Sequence, residues 1–299
     1  MIKNKENSSL QQFYSGKVAA VLRVTGEDAA NFLQGQFTND LRGLKPGGAV
    51  YGLWLNQKGK VVADSFVVAG AEGEFWIVSY QGTPATLRAR LEDYIIADDV
   101  TVEDSTTAWT SLTLVGAGVV AWFAQAPRVG LSFPGRRTSE ETLEWIFPLT
   151  ELPQARAQLV GWVEIDRVAL ERRRIAAGLP AVPADIGPAD LPGEGGLEPA
   201  TISYTKGCYL GQEVMARLKS MGQVRRRLLR VRGPGLPPPL PAALWQGGRQ
   251  IGELRSAVEL AEGGFIGLAM VSLVPWQPAQ PLALEVAGAA EIVVVPEAT

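Results

Sequence analysis

Ser203-Tyr204-Thr205-Lys206-Gly207-Cys208-Tyr209-Leu210-Gly211-Gln212-Glu213-Val214-Met215-Ala216-Arg217-Leu218 holds the single cysteine of the chain and follows a long approach rich in proline and glycine. Lys206 stands two residues before Cys208. In extended backbone that spacing puts both side chains on one side, where an ammonium favours the thiolate. From Gly211 onward Val214, Met215 and Leu218 recur at helical spacing, with Glu213 in the first turn and Arg217 and Lys219 near the end, as a helix dipole favours. Cys208 is thus expected just ahead of a helix N-terminus, whose unpaired N–H groups also favour negative charge. A lone cysteine is more often a small, inert, buried hydrophobe. Here its neighbours include two glycines, a lysine, a tyrosine, a glutamine and a glutamate, which make poor core and a good polar site. Cys208 and Lys206 are the candidate catalytic residues.

Lys206-Gly207-Cys208-Tyr209-Leu210-Gly211-Gln212-Glu213 resembles the K-G-C-Y-x-G-Q-E signature of the YgfZ family, which includes the mitochondrial Iba57-type proteins and is related to the aminomethyltransferase (T-protein) of the glycine cleavage system. Gln34 to Asp40 is similar to a Q-G-Q-x-T-x-D stretch of that family, and Arg174 to Pro180 to an R-I-x-A-G-x-P pattern. The resemblance covers nearly the whole chain after the first 15 residues. It implies an α+β fold, with T-protein-like, ferredoxin-like α/β layers followed by a small C-terminal β-barrel. It also implies a tetrahydrofolate-binding protein that supports iron-sulfur cluster assembly or repair in client enzymes, among them enzymes that modify tRNA. The alternative is a folate-dependent aminomethyl (one-carbon) transferase. On the same grounds Asp64, Gln36, Asn39, Asn56, Arg174, Tyr209, Gln212 and Glu213 are the candidate folate-binding residues. The related transferases have a G-G-x-x-D-D hairpin strand whose acid faces the folate. This chain has Gly59-Lys60-Val61-Val62-Ala63-Asp64, keeping the second acid and replacing the first by Ala63, which argues against transfer chemistry.

Histidine is absent, and this excludes Ser-His and Cys-His nucleophile pairs, the H-E-x-x-H metal site and imidazole proton shuttling. One cysteine and no histidine leave no ligand set for a tetrahedral zinc, so no metal site is expected. A net charge of -3 gives no overall attraction to nucleic acid or to an anionic membrane. Arg217, Lys219, Arg225, Arg226, Arg227, Arg230 and Arg232 form a local basic cluster, but without the interleaved aromatics that stack bases. That pattern favours a solvated face or an acidic protein partner over direct RNA binding. The N-terminal residues lack the apolar run of a signal peptide, and no later run reaches the roughly 18 apolar residues of a membrane helix. With one cysteine unable to form an internal disulfide, a cytoplasmic location without membrane contact is expected.

The 299 residues suffice for two or three well-filled domains. Lys17 to Val24 is predicted as a strand, followed by a helix from Asp28 that Gly35 interrupts. Ala49 to Leu55 and Lys60 to Val68 form a hairpin around Asn56-Gln57-Lys58-Gly59, which sets Asp64 on one face with Val62 and Phe66. A strand at Glu74 to Tyr80 precedes a helix capped by Thr83-Pro84 and running to Ile96. Further strands are expected at Val100 to Val102 or Leu112 to Val115. Helices at Val119 to Ala126 and Leu152 to Val160 flank a strand at Thr142 to Phe147. A helix from Asp166 to Ala177 keeps most of its arginines wet, and Pro180 to Pro199 is a long loop feeding the Cys208 stretch. Regions 1–224, made of two α+β subdomains with a break near 115–140, and 225–299, a barrel of short strands, complete the prediction.

Overall fold

The computed structural model describes residues 11–71 and 73–296. Its first half runs β1 (Gln12–Gly16), β2 (Ala20–Thr25), α1 (Ala29–Gln36), β3 (Ala49–Leu55), β4 (Val61–Ala69), β5 (Phe75–Ser79), α2 (Pro84–Glu92), β6 (Thr101–Asp104), β7 (Trp109–Val115), α3 (Val119–Phe123), β8 (Leu131–Pro134) and β9 (Thr142–Pro148). The chain continues through α4 (Leu152–Ala157), β10 (Val163–Glu164), α5 (Arg167–Ala176), α6 (Glu198–Thr201) and α7 (Gln212–Met221). It ends in β11 (Arg226–Gly233), β12 (Ala242–Gln246), β13 (Arg249–Glu259), β14 (Phe265–Ser272), β15 (Leu282–Ala283) and β16 (Ala290–Val294). No described helix is long and apolar enough to cross a membrane.

The described residues form three sheets. The first is antiparallel, in the order β3-β4-β5-β2-β6. Because side chains alternate along a strand, each strand serves two cores. Leu22, Ala63, Val67 and Ile77 pack under α1 and α2 against Phe32, Leu33, Leu87 and Leu91. Val21, Phe66, Val68 and Val78 face the second sheet and meet Phe133 and Ile146. That second sheet has the order β10-β1-β7-β9-β8, and the C-terminal strands close a barrel in the order β11-β14-β13-β12-β15-β16.

Several expectations shift. Lys17 to Val24 is not one strand: the chain leaves β1 in the second sheet and enters β2 in the first across Lys17–Ala19. Gly35 lies inside α1, where a Cβ would meet open space, so a glycine costs helix propensity there without breaking the turn. α2 has its N-cap at Thr83, whose side chain accepts from Thr86 N, but ends at Glu92 and leaves Ile96 exposed. The chain passes to the second sheet at 105–108, ahead of the expected break near 115–140, because β7 already pairs with β1 and β9. Arg174 is buried, not wet.

Candidate active site

The hairpin β3–β4 sets the first groups. Leu53 opposes Asp64 and Tyr51 opposes Phe66, so Tyr51 and Asp64 are diagonal neighbours on the face turned to the second sheet. The Tyr51 hydroxyl donates to Asp64 Oδ2 at 2.6 Å, and Oδ1 is buried without a partner. Burial pushes the Asp64 carboxyl up to about 6, against the pull of the Tyr51 hydrogen bond, of its own backbone N–H and of the Arg136 and Arg137 charges. Burial, with the Asp64 charge second, raises the Tyr51 phenol well above its usual range.

The turn between β8 and β9 supplies the facing wall. Arg136 lies 4.5 Å from the Tyr51 ring centroid and Arg137 lies 3.9 Å from that of Tyr80, distances at which guanidinium and ring attract. Tyr80 donates to Glu144 Oε1 at 3.0 Å and accepts from the Arg136 backbone N–H at 3.1 Å. Glu144, wholly buried on β9, also accepts from Arg137 Nε at 3.1 Å and from Thr113 Oγ1 at 2.8 Å. The Arg137 Nη2 group is buried without a partner. Tyr51, Asp64, Tyr80, Arg136 and Arg137 line a cavity of about 320 Å³, closed on a further side by α5 and by Leu179 to Val182, with Glu144 behind the wall. The cavity walls thus carry aromatic faces, the Asp64 carboxylate and more cations than anions.

The sequence candidates separate into two places. Asp64 and Arg174 line the cavity; Gln36, Asn39, Asn56, Lys206, Cys208, Tyr209, Gln212 and Glu213 do not. Arg174 has no donor to spare: Nε reaches Glu171, Nη1 reaches Leu179 O and Asp185 Oδ2, and Nη2 reaches Glu171 and Ser256 Oγ. It ties α5 to the loop after it and to β13 of the barrel.

The other group is built around Lys206. Its Nζ donates to the carbonyls of Gln34, Phe37 and Asn39 at 2.6, 2.5 and 2.9 Å. Burial lowers its pKa to about 8, so at neutral pH it remains the charged donor these carbonyls require. The expectation that this ammonium sits beside the thiol is corrected: Lys206 points inward and is buried, whereas Cys208 is exposed. Asn39 Nδ2 donates to Tyr51 O at 2.9 Å, Gln36 Oε1 accepts from Arg90 Nη1 at 2.8 Å, and Asn56 Oδ1 accepts from the backbone of Lys58 and Lys60 in the hairpin turn. Gln212 Oε1 accepts from Tyr209 N at 3.3 Å ahead of α7, and Glu213 pairs with Arg217 on the surface. Tyr209 is buried, with its hydroxyl unpartnered. In the basic cluster, Arg217, Arg226 and Arg232 are ion-paired and Lys219 lies 3.8 Å from the Tyr204 ring centroid. Sequence reasoning missed Tyr51, Tyr80, Arg136 and Arg137. For Tyr51 the hairpin register was the available signal; no motif marks the others.

Residues 17–126 match the family model described as GCVT N-terminal domain, and residues 225–298 match that described as CAF17, C-terminal beta-barrel domain. The chain is therefore a protein with a GCVT-type domain followed by a CAF17-type barrel. Its homologues carry the names IBA57 and YgfZ. It is 25% identical, over 71% of its length and 64% of the relative's, to the mitochondrial iron-sulfur cluster assembly factor IBA57 homolog of Cryptococcus neoformans. It is 26% identical, over 82% of its length and 79% of the relative's, to the tRNA-modifying protein YgfZ of Cronobacter sakazakii. The chain spans less than two thirds of the length of the first curated relatives it matches. The crystal structure of the glycine cleavage system aminomethyltransferase T from Bartonella henselae shares the fold, with a TM-score of 0.78, 21% identity, and coverage of 96% of this chain and 85% of that one.

Proposed function

We propose that the chain binds a reduced folate, tetrahydrofolate, in this cavity and supports assembly or repair of iron-sulfur clusters in client enzymes, including enzymes that modify tRNA. The observation that carries the folate reading is Asp64, which lines the cavity and whose Oδ1 is buried without a protein partner. Leaving a buried acceptor unpaired costs about 1–3 kcal/mol, so such a group points to a ligand that brings a donor. A pterin offers ring N–H donors to Asp64 and a flat face to Tyr51 and Tyr80, and the tail carboxylates of a folate suit Lys17, Arg136 and Arg167 at the cavity. The volume lies within the range of small-molecule sites. When bound, a reduced folate supplies a carrier for one-carbon units; the chain's own residues hold and orient it. The iron-sulfur role rests on the names of the relatives and on Cys208, the one thiol, standing exposed where a client protein can reach it. Calorimetric titration of tetrahydrofolate against the native protein and Asp64→Ala is expected to show at least about a tenfold loss for the variant. Equal affinity removes Asp64 from the site.

Aminomethyl transfer is the second reading, and one observation keeps it open. Ala63 packs beneath α1 and α2, so an acid at that position would not enter the cavity, and its replacement leaves the acid that does face the cavity in place. Adding the glycine-cleavage partners and measuring one-carbon transfer to bound folate separates the two readings.

A further inference from the structure

We propose that Ser256 of the barrel is a positioning residue for the cavity, its hydroxyl holding the wall at Leu179 to Val182 in the shape that takes the ligand. The proposal rests on the folate reading for the ligand and deepens it by assigning part of the site's shape to the barrel.

A β-bulge makes this possible. Along a regular strand successive side chains alternate between faces, but the register of β13 against β14 shifts between Leu254 and Ser256, which makes Arg255 an extra residue. Leu254 and Ala257 consequently both pack in the barrel core, while Val258 turns outward against Ile175 of α5. Arg255 and Ser256, neighbours in sequence, both reach Asp185. Arg255 Nη1 donates to Asp185 O at 2.7 Å, and Ser256 Oγ donates to Asp185 Oδ1 at 2.6 Å. The other carboxylate oxygen, Oδ2, accepts from Ala181 N at 2.8 Å and from Arg174 Nη1 at 2.7 Å. Arg174 also donates to Leu179 O at 2.5 Å and to Ser256 Oγ at 3.0 Å. Arg174, Leu179, Ala181 and Val182 line the cavity; Asp185 and Ser256 stand behind it. Asp185 is wholly buried, and among the described residues the Ser256 hydroxyl is the donor to its Oδ1. Removing that hydroxyl leaves a buried carboxylate oxygen unpaired, a cost relieved when the carboxylate turns or the loop opens. Either motion takes the Ala181 N–H, and with it the cavity wall.

The test compares Ser256→Ala, which removes the hydroxyl and adds no bulk, with Ser256→Thr, which restores it, in the full chain. Without ligand, amide hydrogen exchange over residues 179–187 is expected to quicken about tenfold or more in Ser256→Ala and to stay at the native rate in Ser256→Thr, with β4 and β5 unchanged in both. Tetrahydrofolate affinity, by anaerobic calorimetric titration, is expected to fall about tenfold in Ser256→Ala and to return to within about twofold of native in Ser256→Thr. Native exchange over 179–187 in Ser256→Ala overturns the assignment. So does exchange that quickens everywhere alike, native affinity in that variant, or a loss that Ser256→Thr does not repair. If the native protein binds no tetrahydrofolate, the folate reading falls, and the exchange rates still decide whether Ser256 holds the wall.

Discussion

The carboxyl of Asp64 holds its proton up to about pH 6 in the folded protein, well above its ordinary value of 3.8, because burial disfavours the charge. Between those two values the folded state binds more protons than the unfolded state, so stability falls as pH rises through the interval and stays at its lower level above it. The loss is on the order of 3 kcal/mol. Asp64→Asn keeps an acceptor for Tyr51 and has no charge to bury. Its melting temperature should exceed that of the native protein above about pH 6, with the gap closing as pH falls toward 4, while tetrahydrofolate affinity drops. A gap that does not change with pH would remove the buried charge from the account. Cys208 behaves in the opposite way: it is exposed, so Cys208→Ser should cost about 0.5 kcal/mol or less. That variant should nevertheless fail to restore iron-sulfur enzyme activity in cells lacking the protein, and full restoration would deny the thiol its role.

At the scale of elements, Lys206 stitches the Ser203 to Leu210 stretch to the turn after α1, with Ser203 N donating to Thr38 O and Leu210 N to Gly35 O. Lys206→Met leaves three carbonyls without their cation and should lower stability by about 3 kcal/mol or more, read as a shift in the denaturant midpoint. If Lys206→Met is as stable as the native protein, the stitching is incidental. The sequence made the neighbourhood legible, since both stretches carry polar, glycine-bearing motifs. It could not reveal direction. A lysine two residues from a cysteine shares its side only in extended backbone, and the chain at 204–206 bends, which turns the ammonium inward and leaves the thiol outside. The alternating strands of the hairpin, the Thr83 cap and the Gly211 start of α7 were legible because local backbone chemistry decides them. β1 and β8 were not: each is short, and its place depends on strands far along the chain.

Across the whole molecule, the loop from Pro180 to Leu197 walls the cavity on one side and meets the barrel on the other. Arg255 bonds Asp190 Oδ2 at 2.6 Å and Asp185 O at 2.7 Å, and Arg226 bonds Asp190 Oδ1 at 3.0 Å and Glu194 Oε2 at 2.9 Å. Through Arg174 and Ser256 the cavity wall is tied to β13 as well. Such pairings between residues far apart in sequence leave no periodic trace, which is why Arg174 looked like a wet helix face, and why the cavity residues from both sheets could not be brought together from the chain alone. The sheets and the barrel were foreseen by class; their convergence on one cavity was not. A crystal structure grown with tetrahydrofolate tests the central claim most directly. The account predicts the pterin ring in the cavity among Tyr51, Asp64, Tyr80 and Arg137, and a ring found instead beside Cys208 or on the barrel would contradict it.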